Sequence, residues 1–390
     1  MDDFAVACED KATAELVIQQ INDKMTINVQ NLGQINRFNG VDIEQTKHYI
    51  KLYNKVYPEK MFQRHDWIHK EALQHHNKPH IFPLPMTNDA HYQRKLENAD
   101  ICTPAEVAEA EFGFGYCQAV GDMIYALVTC RPDISFPIIK LSQYSTCPNR
   151  IHFQALQQLY RYLYYTKHKG IYFWQKTPRD DLPDLPPPSL KQDNNYNKHD
   201  IHEQNQDPHS VLFGAVDSDY ANDTNHRKSV TGIVLCLTGG TVLYKTKFQD
   251  TIAMSSTEAE FTAAAEAGKY TLYVRSILDQ LGIPQNEATT LYEDNQGALL
   301  MVNQQQPTKC TQHMDIKHFA IQQWVDQDLI RLKQINTTDN YSDLLTKATG
   351  RTIFYRHMNY ILGKIAPQYC RQHLPISKDC SQIVNTNFPS

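Results

Sequence analysis

Apolar and polar positions change period several times along the chain. Residues 1–25, MDDFAVACEDKATAELVIQQINDKM, read as a short strand, a turn at Glu9-Asp10 and a helix with Ala14, Val17, Ile18 and Ile21 on one stripe. INVQNLGQINRFNGVDIEQ and HYIKLYNKV alternate like strands of a small sheet with a turn at Gly33. Residues 58–110 are polar, His-rich and punctuated by Pro, and read as loosely helical. From Ala105 to Lys167 the spacing is helical, and IHFQALQQLYRYLYYTK puts Phe153, Leu156, Tyr160 and Leu163 on one face. Residues 178–209 are rich in Pro, Asp and Asn and poor in apolar side chains, which predicts a disordered linker.

Beyond the linker the texture changes. SVLFGAVDSDYA, SVTGIVLCLTGGTVLYKTKF and TIAMSS alternate like three strands joined by short turns at His226-Arg227 and Gly239-Gly240. A helix from about Ser256 to Gly282, a strand TTLYEDN, two helices, a strand LIRLKQINT and a last helix from Ser342 follow. The order β-β-β-α-β-α-α-β-α predicts a mixed α/β domain.

Four acids of this domain fall at element ends. Asp217 ends the first strand and, two residues before Asp219, shares a face with it. Glu260 lies near the start of the helix opened by SSTEAEF, Asp294 ends LYEDN, and Asp343 starts the final helix. Strand ends and the helix starts after them converge at one edge of an α/β sheet. Carboxylates gathered there repel one another unless cations intervene, and two Mg²⁺ ions would both neutralise them and serve phosphodiester hydrolysis. Each acid alone also fits a plain structural role: turn formation for Asp217, Asp219 and Asp294, the helix dipole for Asp343. Their joint occurrence in this order favours the metal site. Ser255 with Glu258 and Thr257 with Glu260 both fit the S/T-x-x-E capping pattern, so spacing leaves the two glutamates open. We take Glu258 as the cap and Glu260 as the ligand.

Composition adjusts this picture only slightly. The 390 residues are 41% hydrophobic and 21% charged, as in folded proteins of two or three domains. No apolar run nears the roughly 20 residues of a membrane helix and no signal pattern opens the chain, so an intracellular protein, cytoplasmic or nuclear, without a membrane partner is expected. The 9 cysteines are scattered without CxxC spacing and read as reduced thiols. The stretch HDWIHKEALQHHNKPHIF lacks the partners and spacing of a metal site, and His313 and His318 read as structural or substrate-facing. Net charge is -5, so any nucleic-acid binding needs local positive charge. Arg227, Lys228, Lys245, Lys247, Lys309 and Lys317 are the candidate phosphate contacts. Residues 211–350 nevertheless carry 11 Lys and Arg against 16 Asp and Glu, which predicts weak binding by the isolated domain.

VDSDYANDTNHRKSVTG, SSTEAEF, YEDNQGA and NYSDLLTK resemble, in order and spacing, the ribonuclease H domain of copia-type LTR retrotransposon polyproteins over roughly residues 211–362. The resemblance implies the ribonuclease H fold, two Mg²⁺ ions (Mn²⁺ as a substitute) and an RNA–DNA hybrid substrate. The family's metal-binding acids fall on Asp217, Glu260, Asp294 and Asp343, and Asp219 then supports them. INTTDNY lacks the histidine many ribonucleases H carry before the last acid.

Upstream, GYCQAVGDMIYALVTCRPDISF looks like the segment joining polymerase to ribonuclease H in the same polyproteins. Its tyrosines, at helical spacing, read as core rather than base-stacking residues. MDDFAVA resembles the reverse transcriptase turn motif without its aromatic residue, so that Asp2 and Asp3 would match polymerase acids. NLGQINRFNGVDIE resembles the primer-holding hairpin that follows. The resemblance divides the chain into a partial α+β palm and hairpin (1–57), a thumb-like segment (58–110), a helical connection (111–177), the linker (178–209), the ribonuclease H-like domain (210–350) and a helix and tail (351–390). It implies the rest of a polyprotein as partner and either a cytoplasmic setting, in a virus-like particle, or a nuclear one. No polymerase activity is expected from this chain alone. A non-catalytic retroelement remnant, or a reverse transcriptase if the natural chain extends upstream, are the alternatives.

Overall fold

The computed structural model describes residues 11–25, 29, 31, 33–46, 49–64, 83–84, 96, 105–174, 211–223, 226–303 and 315–364. Asp2, Asp3, the 178–209 linker, the histidine stretch 65–82, Lys309, His313 and the tail after Lys364 lie outside them, as do the side chains of Lys317 and His318.

The elements are α1 (Lys11–Met25), β1 (Arg37–Phe38), β2 (Val41–Gln45), β3 (Tyr49–Tyr53), α2 (Val56–Arg64), α3 (Ala105–Phe112), α4 (Tyr116–Cys130), α5 (Ser135–Ser142), α6 (Arg150–Tyr165) and β4 (Gly170–Trp174). They continue with β5 (Phe213–Asp219), β6 (Val230–Leu237), β7 (Gly240–Phe248), α7 (Ser256–Gln280), β8 (Thr289–Glu293), α8 (Gln296–Asn303), α9 (Asp315–Asp326), β9 (Ile330–Gln334) and α10 (Arg351–Ile361). Among the described residues no helix is long and apolar enough to cross a membrane.

The apolar stripe expected on α1 is its half-buried side, since Ala14, Val17, Ile18 and Ile21 are all less exposed than their neighbours on the opposite face. In the first sheet, ordered β1-β2-β3-β4, the hairpin between β1 and β2 turns at Asn39-Gly40 rather than at Gly33. Both turn residues have positive φ, 47° and 81°, the geometry that matches the twist of two-residue hairpins. The turn between β6 and β7 is likewise shifted by one residue, to Thr238-Gly239, and Gly240 opens β7. TIAMSS forms no strand.

The second sheet has the order β7-β6-β5-β8-β9, with β6 antiparallel to its neighbours and β5, β8 and β9 mutually parallel. Both of its faces are buried. Val216, Ile233, Leu235 and Leu291 point to α7, whose Phe261, Ala263, Ala264 and Ala267 form the opposing layer. Phe213, Ala215, Val234 and Cys236 point the other way, into one core shared with α4, α5, α6 and α10. Phe153, Leu156, Tyr160 and Leu163 of α6 are fully buried there, as are Tyr116 and Tyr162, whereas Tyr125 of α4 is 37% exposed, so only part of the upstream tyrosines is core. The chain thus folds its upstream helices and its five-stranded sheet around common apolar side chains.

Arg131-Pro132-Asp133 shapes the junction. Arg131 donates to both Asp133 oxygens (2.8 and 2.7 Å) and to Thr166 O and Oγ1 (3.0 and 2.7 Å), and Tyr162 OH donates to Asp133 Oδ2 at 2.5 Å. The pair is 3% and 0% exposed. Both Asp133 oxygens and all three guanidinium nitrogens meet charge-assisted bonds here, which lets an ion pair sit in a core.

Candidate active site

Three backbone features bring the acids together. Asp217 lies near the C-terminal end of β5 and Asp294 just past that of β8, and these strands run parallel, so both emerge at one sheet edge. Glu260 sits on the second turn of α7, which packs across β5. Ser255 caps that helix, its Oγ accepting the Glu258 N–H at 3.1 Å, and Glu258 Oε2 folds back to the Met254 N–H at 2.7 Å. Glu258 therefore closes the helix end while Glu260, 7% exposed, faces the other acids. Asp217, Glu260 and Asp294 each offer a carboxylate oxygen within 4.8 Å of the others.

Asp343 reaches the same edge by a different route from the one expected. It belongs to a short 3-10 turn, Tyr341–Leu345, and the last helix starts only at Arg351. Asn340 explains the difference: its Nδ2 donates to Val216 O at 3.0 Å and its Oδ1 accepts the Ser342 N–H at 3.3 Å, pinning the segment to β5. Thr346 Oγ1 then donates to Asp217 Oδ2. Lys347 Nζ lies 3.0 Å from Asp343 Oδ1 and 3.6 Å from Asp217 Oδ2.

Like charges in a dry site shift their own titration. Burial first, then Glu293, Asp217 and Asp294, raises Glu260 well above the ordinary range. Burial and Asp217 raise Asp294 and push Asp343 up to about 8. Burial opposes the charge on Lys347, but Asp217 and Asp343 outweigh it and raise its pKa. Glu260 Oε2 is buried without a hydrogen-bond partner among the described residues. An all-oxygen, anionic and partly unsatisfied donor set suits a hard divalent cation such as Mg²⁺.

Several contributors have no counterpart in the sequence reading. Glu293 is 0% exposed beside Asp294; its Oε1 accepts the Asn295 N–H at 3.0 Å and its Oε2 has no partner among the described residues. Its place as the last residue of TTLYE, directly before Asp294, is the only signal in the sequence. Gln249 Nε2 lies 3.3 Å from Ser218 Oγ, 3.0 Å from Thr231 Oγ1 and 2.8 Å from Ala259 O, tying together the residues next to Asp217 and Glu260. Lys347 follows Asp343 at i+4, a spacing that flags an ion pair on any turn-rich segment.

The basic candidates stand apart from the acids. Arg227 is exposed in the loop between β5 and β6, with φ of 55°. Lys228 is half-buried beside it. Lys245 bonds Tyr270 OH on α7, and Lys247 pairs with Asp250 at 2.7 Å. Lys317 falls in α9. Asp219, raised by burial, accepts from Asn222 Nδ2 at 2.6 Å and lies outside the close triad.

Fold and site together define a mixed α/β protein with a buried carboxylate centre suited to a divalent cation. Its homologues are retrovirus-related Pol polyproteins from transposons. The chain is 25% identical over 357 residues, 91% of its length, to the Pol polyprotein from transposon TNT 1-94 of Nicotiana tabacum, and 28% identical over 239 residues to that from transposon RE1 of Arabidopsis thaliana. It spans 23% and 14% of the lengths of these relatives. No family model matches. Among solved structures, LC11-RNase H1 from compost aligns at 14% identity over 35% of this chain and 93% of its own, with a TM-score of 0.29, a likeness too slight to carry weight.

Proposed function

We propose that the chain is a ribonuclease H-type endonuclease that hydrolyses the RNA strand of RNA–DNA hybrids, working within a retrotransposon reverse transcriptase polyprotein. The gathering of Asp217, Glu260 and Asp294 oxygens within 4.8 Å at the edge of a parallel strand pair carries this reading. The element order β-β-β-α-β-α-α-β-α and the motifs that resemble the ribonuclease H domain support it. The upstream helices correspond to the connection, and the β1–β2 hairpin to the primer-holding element, of the same polyproteins.

Asp217, Glu260, Asp294 and Asp343 would hold two Mg²⁺ ions, or Mn²⁺ in their place. When bound, such ions activate water and stabilise the leaving oxygen of a phosphodiester. The protein's own contribution is placement. Thr346 and Gln249 fix Asp217 and its neighbours, and α7 presents Glu260 from across the cleft. Glu293, which burial raises well above the ordinary carboxylate range, lies beside the ligands, of which Asp217, Glu260 and Asp343 are buried and Asp294 half-buried. Arg227, Lys228, Lys245, Lys247 and Lys317 are the candidate contacts to the hybrid's phosphates.

The test is cleavage of an end-labelled RNA–DNA hybrid by the full chain in Mg²⁺ and in Mn²⁺, beside Asp217→Asn and Asp294→Asn. Metal-dependent loss of the RNA strand, abolished in both variants, is expected. A folded wild-type chain that leaves the hybrid intact would refute the assignment.

A further inference from the structure

Lys140, on the upstream helix α5, is 2% exposed. An ammonium group that deep costs several kcal/mol unless it is bonded, so its partners deserve to be traced. Its Nζ donates to Asn222 Oδ1 at 3.3 Å and lies 5.9 Å from the centre of the Phe248 ring. Asn222 in turn donates through Nδ2 to Asp219 Oδ2 at 2.6 Å. Asp219 closes β5 two residues beyond Asp217, on the same side of the strand. A hydrogen-bonded line therefore runs from α5, across the loop after β5, to the end of the strand that carries Asp217.

The first residue of the same helix reaches the opposite side of the site. Ser135 Oγ bonds Thr246 Oγ1 at 2.7 Å, and Thr246 Oγ1 donates to Leu345 O at 2.8 Å, in the turn that holds Asp343. Even-numbered residues of β7 make these contacts: Tyr244 OH bonds Leu127 O of α4, Thr246 meets Ser135, and Phe248 faces Lys140. One short helix from the upstream half thus braces both the β5 end and the Asp343 turn.

We propose that α5 belongs to the scaffold of the acid site, and that Lys140 is a positioning residue which, through Asn222, sets the strand end bearing Asp217 and Asp219. The inference rests on the nuclease reading for its kinetic consequence but not for its geometry. A misplacement of the order of an ångström at a distant support can cost about a hundredfold in rate, and removing one member of a buried polar line can itself lower stability, so kcat is read per folded molecule. Lys140→Met separates the two effects, because methionine keeps most of the packing and removes the donor.

The experiment compares the full chain, Lys140→Met, Asn222→Ala and the double variant. The readouts are kcat and KM on a labelled RNA–DNA hybrid, melting temperature, and the Mn²⁺ concentration that half-saturates thermal stabilisation. Expected are a fall in kcat of about ten- to a hundredfold in Lys140→Met, KM little changed, a higher Mn²⁺ midpoint, and a double variant no worse than the more affected single one. A melting temperature that falls while kcat per folded molecule and the Mn²⁺ midpoint stay at wild-type values would show a merely structural lysine and overturn the proposal. Should Lys140→Met not fold, Asn222→Ala decides: wild-type kcat and Mn²⁺ midpoint overturn it. A wild-type chain that binds Mn²⁺ but cuts no hybrid refutes the nuclease reading alone, since the midpoint shift still tests Lys140. A chain that neither binds nor cuts removes both.

Discussion

Gly232 lies directly across the β5–β6 ladder from Asp217, and a methyl group on it would stand 2.7 Å from Thr346 Cγ2 and 3.0 Å from both Leu345 Cβ and Ser342 O. The glycine is the gap through which the Asp343 turn closes onto the strand that carries Asp217. Gly232→Ala is expected to push that turn outward, lowering stability by about 1–3 kcal/mol and cleavage by more than the loss of folded protein explains. Denaturant unfolding and hybrid cleavage on the same preparation check this.

The two glutamates of SSTEAEF should separate cleanly. Glu258→Ala removes one helix-end bond at a solvent-facing position, costing about 0.5–1 kcal/mol and leaving cleavage near wild type. Glu260→Gln removes a carboxyl whose ionisation is opposed by burial first and then by Glu293, Asp217 and Asp294. It should abolish cleavage while raising the melting temperature of the metal-free chain. The opposite pattern would exchange the roles assigned to the pair.

The acid cluster also predicts how metal-free stability depends on pH. Asp343 is raised to about 8, so the folded chain holds a proton that the unfolded chain has released. Its contribution is full below the ordinary carboxylate range and is lost as pH rises through about 8. Burial keeps His357 neutral by lowering it to about 3, which destabilises the fold only as pH drops below 6.5. From pH 6.5 to about 8 the acids therefore act without it. The denaturation midpoint should fall across that interval without metal, and saturating Mg²⁺ should flatten the slope. A flat metal-free profile would mean that the carboxylates are not assembled.

Breaking the Arg131–Asp133 pair by Asp133→Asn leaves a guanidinium at 3% exposure without its counter-charge. A loss of about 3–5 kcal/mol is expected. Replacing both partners, Arg131→Met with Asp133→Leu, should recover much of it, because the cost lies in the uncompensated charge. Urea midpoints of the wild type and the two variants decide the matter.

Much of the second sheet was legible because its strands alternate and its turns carry Gly, and the acids stood out because they fall where such strands end. The Asp343 segment was misread as a helix start, since nothing local shows that Asn340 spends its side chain on Val216 and Thr346 on Asp217. Glu293 was hidden beside Asp294: a pair of acids after a strand looks like a turn, and only the register of β8 shows that one of them points inward. The β1–β2 turn was missed although Asn39-Gly40 is a strong hairpin signal, because Gly33 also interrupts the alternation and has positive φ. Least legible was the shared core. A polar stretch at 178–209 suggests two independent domains, whereas burial depends on contacts such as Tyr244 to Leu127, more than a hundred residues apart.

Strand β4 gives that shared core a practical corollary. It pairs with β3 along its length, yet Tyr172 N–H bonds Leu362 O at 2.9 Å, Trp174 N–H bonds Thr238 O at 3.1 Å and Trp174 Nε1 bonds Gly363 O at 2.5 Å. Trp174, the last residue of β4, is thus fastened to the end of α10 and to the β6–β7 turn by bonds that do not depend on chain continuity between Trp174 and Val211. A cut in that stretch would sever the covalent thread and leave two fragments interlocked, a nicked protein that co-purifies as one species and that separately expressed halves could rebuild by complementation.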